Sequence, residues 1–360
     1  MGQKNTVLLK SLRSHDEMDS WRNMEYFEED LHEAVVSGNL ASVEGYLKRG
    51  LSPNHAFRSA DPAAARRMGR TLLEEAVHAG QKDIVRLLAT FKVDPNLTFV
   101  VHVDEDLRPV LKPYTKKERL KMSCVYPSIV RRDVEMVQLL VRAGLDVNLC
   151  DDRGCTALWH AVDLQDYDLA KALVGSPACD VNLPDVAQLR PLHVAALHGH
   201  VRLASLLIRH GARVDPVQLR GSTPLVLACK AACCQTARLL LLNGADPNHV
   251  GYNGHTPMSA ALESCRERHL TDLLIDAGAT VDCTTVRKCI RDQVPLLQTC
   301  PEVLDLIREL ARTPRPLKVQ CLLAVRRAVV ASLSKLHFVL KVESLPVPRI
   351  VQELILLSYL

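Results

Sequence analysis

Aromatic side chains are scarce in this sequence: Phe, Trp and Tyr make up 14 of 360 residues, or 4%. That scarcity argues against base-stacking nucleic-acid surfaces and aromatic-rich sandwich cores, and suits thin helical layers packed with Leu, Ala and Val. No CxxC pair occurs among the 12 cysteines, and no histidine stands at zinc-finger spacing from them. No run of about 18 uncharged apolar residues is present, so no membrane-spanning helix is expected. Gly-x-Ser-x-Gly, a phosphate loop and the kinase catalytic set are missing too, which predicts a chain without enzyme activity. No cofactor and no resident metal are expected. The opening residues do not read as a secretory leader, which predicts reduced thiols and a cytoplasmic chain, with the nucleus as the alternative.

What is present is enough apolar material to bury a core, 48%, with 24% charged residues to keep it in water. The net charge of +4 is unevenly placed. Residues 314–360 hold seven Lys/Arg against two Asp/Glu, whereas residues 1–313 hold 38 against 39. A body that is nearly neutral does not read as a phosphate binder, so no nucleic-acid partner is expected.

A repeat organises the chain. The string Asp-Pro/Val-Asn recurs at Asp94–Asn96, Asp146–Asn148, Asp180–Asn182 and Asp246–Asn248. Pro53-Asn54, Val214-Asp215 and Val281-Asp282 hold the same place in three further units. The strings end at residues 54, 96, 148, 182, 215, 248 and 282, so successive gaps are 42, 52, 34, 33, 33 and 34. This is a period of 33 with two insertions. Thr223-Pro224-Leu225 and Thr256-Pro257-Met258 place a capping hydroxyl ahead of a proline that can open a helix. Thr156-Ala157-Leu158 and Arg190-Pro191-Leu192-His193 are variants of that start. Ala161, Ala195, Ala196, Ala228 and Ala261 are small enough for helices to approach closely. A second helix carries paired leucines at 87–88, 139–140, 206–207, 239–240 and 273–274. It stops at a glycine, as at Gly144, Gly211, Gly244 and Gly278. The second unit departs from this ending, with Thr90-Phe91-Lys92 in place of Gly-Ala.

These units resemble ankyrin repeats, on the strength of Gly-x-Thr-Pro-Leu, His198-Gly199-His200 and Asn243-Gly244-Ala245-Asp246-Pro247-Asn248. The resemblance implies an all-α solenoid of about seven repeats over residues 30–282, with insertions near 58–70 and 97–121. An N-terminal extension or cap, 1–29, and a degenerate capping repeat, 283–312, would close its ends. One repeat cannot bury its own apolar face, so such an array folds by nearest-neighbour packing. His193, His198 and His200 are read as turn-tying ankyrin positions rather than as a metal cluster.

After Thr313-Pro314-Arg315-Pro316 the period is lost. Leu317, Cys321 and Val325 are spaced to form one ridge of a helix. Leu345-Pro346-Val347-Pro348 follows 24 residues beyond the cysteine. The combination resembles a SOCS box, here a helical segment over 313–360. Array and tail together resemble the ankyrin repeat and SOCS box family. That resemblance implies a non-catalytic substrate receptor for a ubiquitin ligase containing elongin B, elongin C, cullin-five and a RING subunit. Leu317, Cys321 and Val325 would then bind elongin C, and Leu345, Pro346, Val347 and Pro348 would engage the cullin. The other reading is an ankyrin scaffold whose tail only caps the stack.

Turn tips near 151–156, 185–190, 218–223 and 252–256 are the candidate recognition face for an unidentified protein substrate. Arg153, Trp159, Arg190, Arg220 and Tyr252 are chosen there because Arg, Trp and Tyr commonly anchor interfaces. The 97–121 insertion turns basic from Arg108 to Lys121, a candidate site for an acidic target, lipid head groups or an import receptor. Met1-Gly2-Gln3-Lys4-Asn5-Thr6 fits the myristoylation pattern at Gly2, with Lys4, Lys10 and Arg13 as an electrostatic second signal. Membrane attachment is expected only with that modification.

Overall fold

The computed structural model describes residues 17–58, 68–97, 99–102, 119–252, 254–264 and 269–280. Two compact units divide the chain: Met1–His102 with Lys121–Arg131 and Glu135–Leu145, and the remainder, chiefly Asp146–Leu360.

The first unit contains helices α1 (Glu17–Val36), α2 (Leu40–Lys48), α3 (Leu72–His78), α4 (Lys82–Thr90), α5 (Tyr126–Val130) and most of α6 (Val134–Arg142). α1 runs unbroken through Glu29, and near its end Phe27 meets Tyr46 of α2 edge-on at 5.2 Å. Leu31, Val35, Val43, Leu72, Ile84, Leu88, Ile129, Met136 and Leu140 build the core. α3 starts where it does because Thr71 and Glu74 cap each other. The Thr71 hydroxyl accepts the Glu74 N–H at 3.3 Å, and the Glu74 carboxyl accepts the Thr71 N–H at 2.7 Å. Lys92, which replaces the usual glycine, takes the left-handed conformation at φ 57°.

The array is mostly helical but not wholly so, and the all-α expectation is corrected at the insertions. β1 (Ala56–Arg58) pairs antiparallel with β2 (Met68–Thr71), and β3 (Phe99–His102) pairs with β4 (Arg119–Met122). An insertion that leaves and re-enters a repeat turn must bring its two ends together. Pairing those ends as strands also satisfies their backbone N–H and C=O groups.

The second unit holds α7 (Ala157–Asp163), α8 (Tyr167–Val174), α9 (Pro191–Leu197), α10 (Val201–Arg209), α11 (Pro224–Lys230), α12 (Cys234–Leu242), α13 (Pro257–Ser264) and α14 (His269–Asp276). The odd-numbered helices pack in one row and the even-numbered ones in a second. Ala161, Ala195, Ala196, Ala228 and Ala261 are fully buried along the first row, where a larger side chain would hold the helices apart. In the second row the later leucine of each pair, Leu207, Leu240 and Leu274, is fully buried. Thr156 and Thr256 cap α7 and α13 through the N–H groups of Trp159 and Ser259, both at 3.1 Å.

The recurrent asparagines link each repeat to the next. Asn148 accepts the Asp180 N–H at 2.8 Å and donates to the Ala178 carbonyl at 2.7 Å. Asn182 does the same with Arg213 N–H and Gly211 O, and Asn248 with Thr280 N–H and Gly278 O. The aspartate two residues earlier holds the asparagine's own N–H, as Asp180 holds Asn182 at 2.8 Å. Asp215 replaces asparagine in one repeat. It still accepts the Asp246 N–H, at 2.9 Å, but an ionised carboxylate has no donor for the neighbouring carbonyl.

Among the described residues no helix is long and apolar enough to cross a membrane. Gly2, most of the 97–121 insertion, the 283–312 cap and the whole 313–360 tail lie outside the described residues.

Candidate functional site

Four turns of one design precede the helices of the first row in the second unit. In each, the first residue's N–H bonds the carbonyl four positions on: Asp151 to Cys155, Asp185 to Leu189, Gln218 to Ser222 and Gly251 to His255, at 2.9–3.1 Å. A left-handed residue closes each turn: Gly154, Gln188, Gly221 and Gly254. Glycine is mandatory at 221, because a Cβ there would lie 2.4 Å from the Tyr252 backbone nitrogen.

Adjacent turns are stitched to one another. Val186 N–H donates to the Arg153 carbonyl at 2.9 Å, and Leu219 N–H to the Ala187 carbonyl at 3.1 Å. The His249 ring nitrogen meets the Gly221 carbonyl at 2.9 Å. His193 secures the same region from below. Its Nδ1 accepts the Arg190 N–H at 3.1 Å and its Nε2 donates to the Pro216 carbonyl at 3.0 Å. Both ring nitrogens are thereby used, and burial holds the imidazole down at about 4, in the neutral form. His198 instead pairs with Asp163 at 3.1 Å.

Inward-facing and exposed residues stand next to each other in these turns. Asp185 and Gln218 point inward, where the Asp185 carboxylate accepts the N–H groups of Ala187 and Leu189 at 2.8 and 2.7 Å. Val186 and Leu219, next to them, are 68% and 60% exposed, and Val250 and Tyr252, on either side of Gly251, are 62% and 78% exposed. Of nine large apolar side chains exposed among the described residues, five lie on three successive turns: Val186, Val217, Leu219, Val250 and Tyr252.

The anchors chosen from sequence are therefore placed unequally. Arg220 and Tyr252 are exposed on this edge. Arg190 is half-buried, with its Nε donating to the Asn182 carbonyl at 2.9 Å. The Arg153 side chain is largely buried beside Asp151, and its guanidinium carbon lies 6.0 Å from the Trp159 ring centre. Trp159 is only 3% exposed, so it is a core residue and offers a partner no surface. Its place in the first turn of α7 turns it inward. Leu317, Cys321, Val325, Leu345, Pro346, Val347 and Pro348 lie outside the described residues. Sequence reasoning missed Val186, Val217, Leu219 and Val250. The available signal was their constant offset in consecutive repeats.

Asp151, Cys155 and His160 bring a carboxylate oxygen, a thiol and an imidazole nitrogen within 4.8 Å of one another. Their bonding is that of a brace. One Asp151 oxygen accepts the N–H groups of Arg153 and Cys155, and the other meets His160 Nε2 at 3.0 Å and Arg153 Nε at 3.4 Å. Burial raises the Asp151 carboxyl, but these bonds outweigh it and hold the group below its ordinary value. Burial outweighs the carboxylate at His160 and keeps that imidazole neutral. It also drives the Cys155 thiol upward, away from the thiolate a metal would need.

Residues 153–186 match the ankyrin repeat family, and residues 192–285 match three consecutive ankyrin repeats. The chain thus carries ankyrin repeats, the units of a protein-interaction scaffold. It is 29% identical over 196 residues to the B-cell lymphoma 3 protein homolog of Mus musculus, covering 52% of this chain and 42% of that one. It is 32% identical over 236 residues to the human ankyrin repeat and SOCS box protein 16, covering 63% of this chain and 47% of that one. It is 26% identical over 237 residues to the ankyrin repeat protein nuc-2 of Neurospora crassa, covering 63% and 20% respectively. The matched region spans less than half of each of these relatives.

Proposed function

We propose that the chain is a non-catalytic adaptor, in which the repeats bind a protein substrate and the tail couples it to an elongin B/C–cullin-five–RING ubiquitin ligase. The observation that carries this reading is the pairing of Leu317-x-x-x-Cys321-x-x-x-Val325 with Leu345-Pro346-Val347-Pro348, behind an ankyrin array. The name of the human relative supports it, since it joins the same two parts. Leu317 would fill an apolar pocket, a burial worth about 1.5–3 kcal/mol. Cys321 is small enough to let the two helices close. Pro346 and Pro348 would hold an extended strip ready for the cullin at little entropic cost.

The second reading, an ankyrin scaffold without ligase coupling, is favoured by relatives whose names carry no such box. Pull-downs of the full chain separate the two. Leu317→Asp should lose elongin B–C and cullin-five together, because it would bury a carboxylate in an apolar pocket. Pro346→Ala with Pro348→Ala should keep elongin and lose cullin. A wild-type chain that binds neither, with Leu317→Asp lowering only stability, would leave the scaffold reading.

A further inference from the structure

Five of the six large apolar residues exposed among the described residues of the second unit form a register. Val186, Leu219 and Tyr252 occupy the same position in three successive turns, and Val217 and Val250 stand two residues before the last two of them. All five are exposed, and the turns that carry them are joined side by side, so they line the tips of adjacent turns. Adjacent turns are hydrogen-bonded through Val186 and Leu219, and the Tyr252 backbone and ring rest against Gly221. The apolar row is therefore held on a fixed frame. Exposed aliphatic and aromatic groups set side by side are costly in water unless something covers them.

Cations outnumber carboxylates around the row, although Asp180 lies near Arg190. Arg220 is exposed on the second of these turns, Arg190 directly follows the first and Arg213 lies near Arg190, and among the described residues none of the three enters an ion pair with a carboxylate. Burial, and then the nearness of Arg213, push the Arg190 guanidinium below its ordinary value, so two cations stand close together here. The single carboxylate of the three turns, Asp185, is already engaged by two backbone N–H groups.

We infer that this edge binds an extended segment of a partner protein in which apolar residues alternate with acidic ones. The apolar side chains lie against Val186, Leu219 and Tyr252, and the carboxylates face Arg190, Arg213 and Arg220. This rests on the reading that the repeats recognise a protein, and narrows it to a partner class. A basic or purely polar segment would leave the arginines opposed or the apolar row wet.

The test uses the full chain and short labelled peptides of three compositions, followed by fluorescence anisotropy. In one, apolar residues alternate with glutamate; in the second, with lysine; in the third, serine alternates with glutamate. The apolar–glutamate peptide is expected to bind. Binding should fall about tenfold or more on combining Val186→Ser, Leu219→Ser and Tyr252→Ser. Arg220→Glu, at an exposed position, should weaken that peptide similarly and strengthen the lysine one, which keeps the test valid should the triple variant misfold. The inference is overturned when no peptide binds, when the lysine or serine peptide binds wild type as tightly, or when Arg220→Glu changes nothing. Elongin copurification should be unaffected by Arg220→Glu. A wild-type chain that fails to bind elongin would remove the ligase coupling and leave the peptide result standing.

Discussion

In the first unit the helix start at Thr71 buries a carboxyl, Glu74, whereas in the second the starts at Thr156 and Arg190 bury imidazoles, His160 and His193. One helix-pair plan thus carries opposite acid–base chemistry in its two regions. Burial, outweighing the Thr71 N–H and the Arg70 charge, raises Glu74 to about 8, so the folded first unit prefers the protonated acid. A raised group stabilises fully below its ordinary value near 4.5, and that stability drains away as the pH climbs through about 8. His193, lowered from 6.5 to about 4, stabilises above 6.5, and its contribution is lost as the pH falls through 4. Acidification from pH 6.5 to 4.5, where the two windows overlap, therefore strengthens the first unit through Glu74 and weakens the second through His193. Regularity follows the same division: both insertions interrupt the first unit, while the exposed apolar turns all lie in the second.

The comparison is broken most forcefully at Glu74. Glu74→Gln keeps an acceptor for the Thr71 N–H and removes the ionisation. It should stabilise the first unit by about 2–4 kcal/mol at pH 9 and leave it nearly pH-independent. Denaturation followed by hydrogen exchange, resolved by unit, reads this directly, and an unchanged slope between pH 4.5 and 8 would place the titration elsewhere. His193→Ala should cost the second unit about 2 kcal/mol at neutral pH, since the Arg190 N–H and Pro216 carbonyl both lose their partner. The same variant should flatten the loss between pH 6.5 and 4. The smallest effects concern the links between repeats. Asn182→Ala should cost about 1–2 kcal/mol, and Asp215→Asn, which restores the amide donor, should add about 1 kcal/mol. Urea unfolding checks both, and no gain from Asp215→Asn would mean that the donor half of the link carries no weight.

The period, the threonine caps, the small alanines and the paired leucines were legible in the sequence because each is a one-dimensional consequence of stacking identical helix pairs. The Asp-x-Asn string was legible as a marker, but its role as a two-ended link needed the next repeat in place. Glu74 was not legible, since a glutamate three residues after a threonine reads as an exposed cap, and only the strands and helices around it bury it. Trp159 looked like an anchor by residue type, while its helix face makes it core. The apolar turn residues escaped notice because one residue recurring every 33 positions, as at 186, 219 and 252, leaves no local pattern. Strand pairing at the insertions likewise depends on ends that are far apart in the chain.

The account holds that recognition and coupling occupy different parts of one chain: the turns of the second unit for the partner, residues 313–360 for the ligase. Hydrogen exchange on the full chain, alone and mixed with elongin B and C, tests that division in one experiment. The account predicts new protection confined to 313–360, with the turns between 150 and 256 unchanged. An absence of complex, or protection spread over Val186, Leu219 and Tyr252, would contradict it.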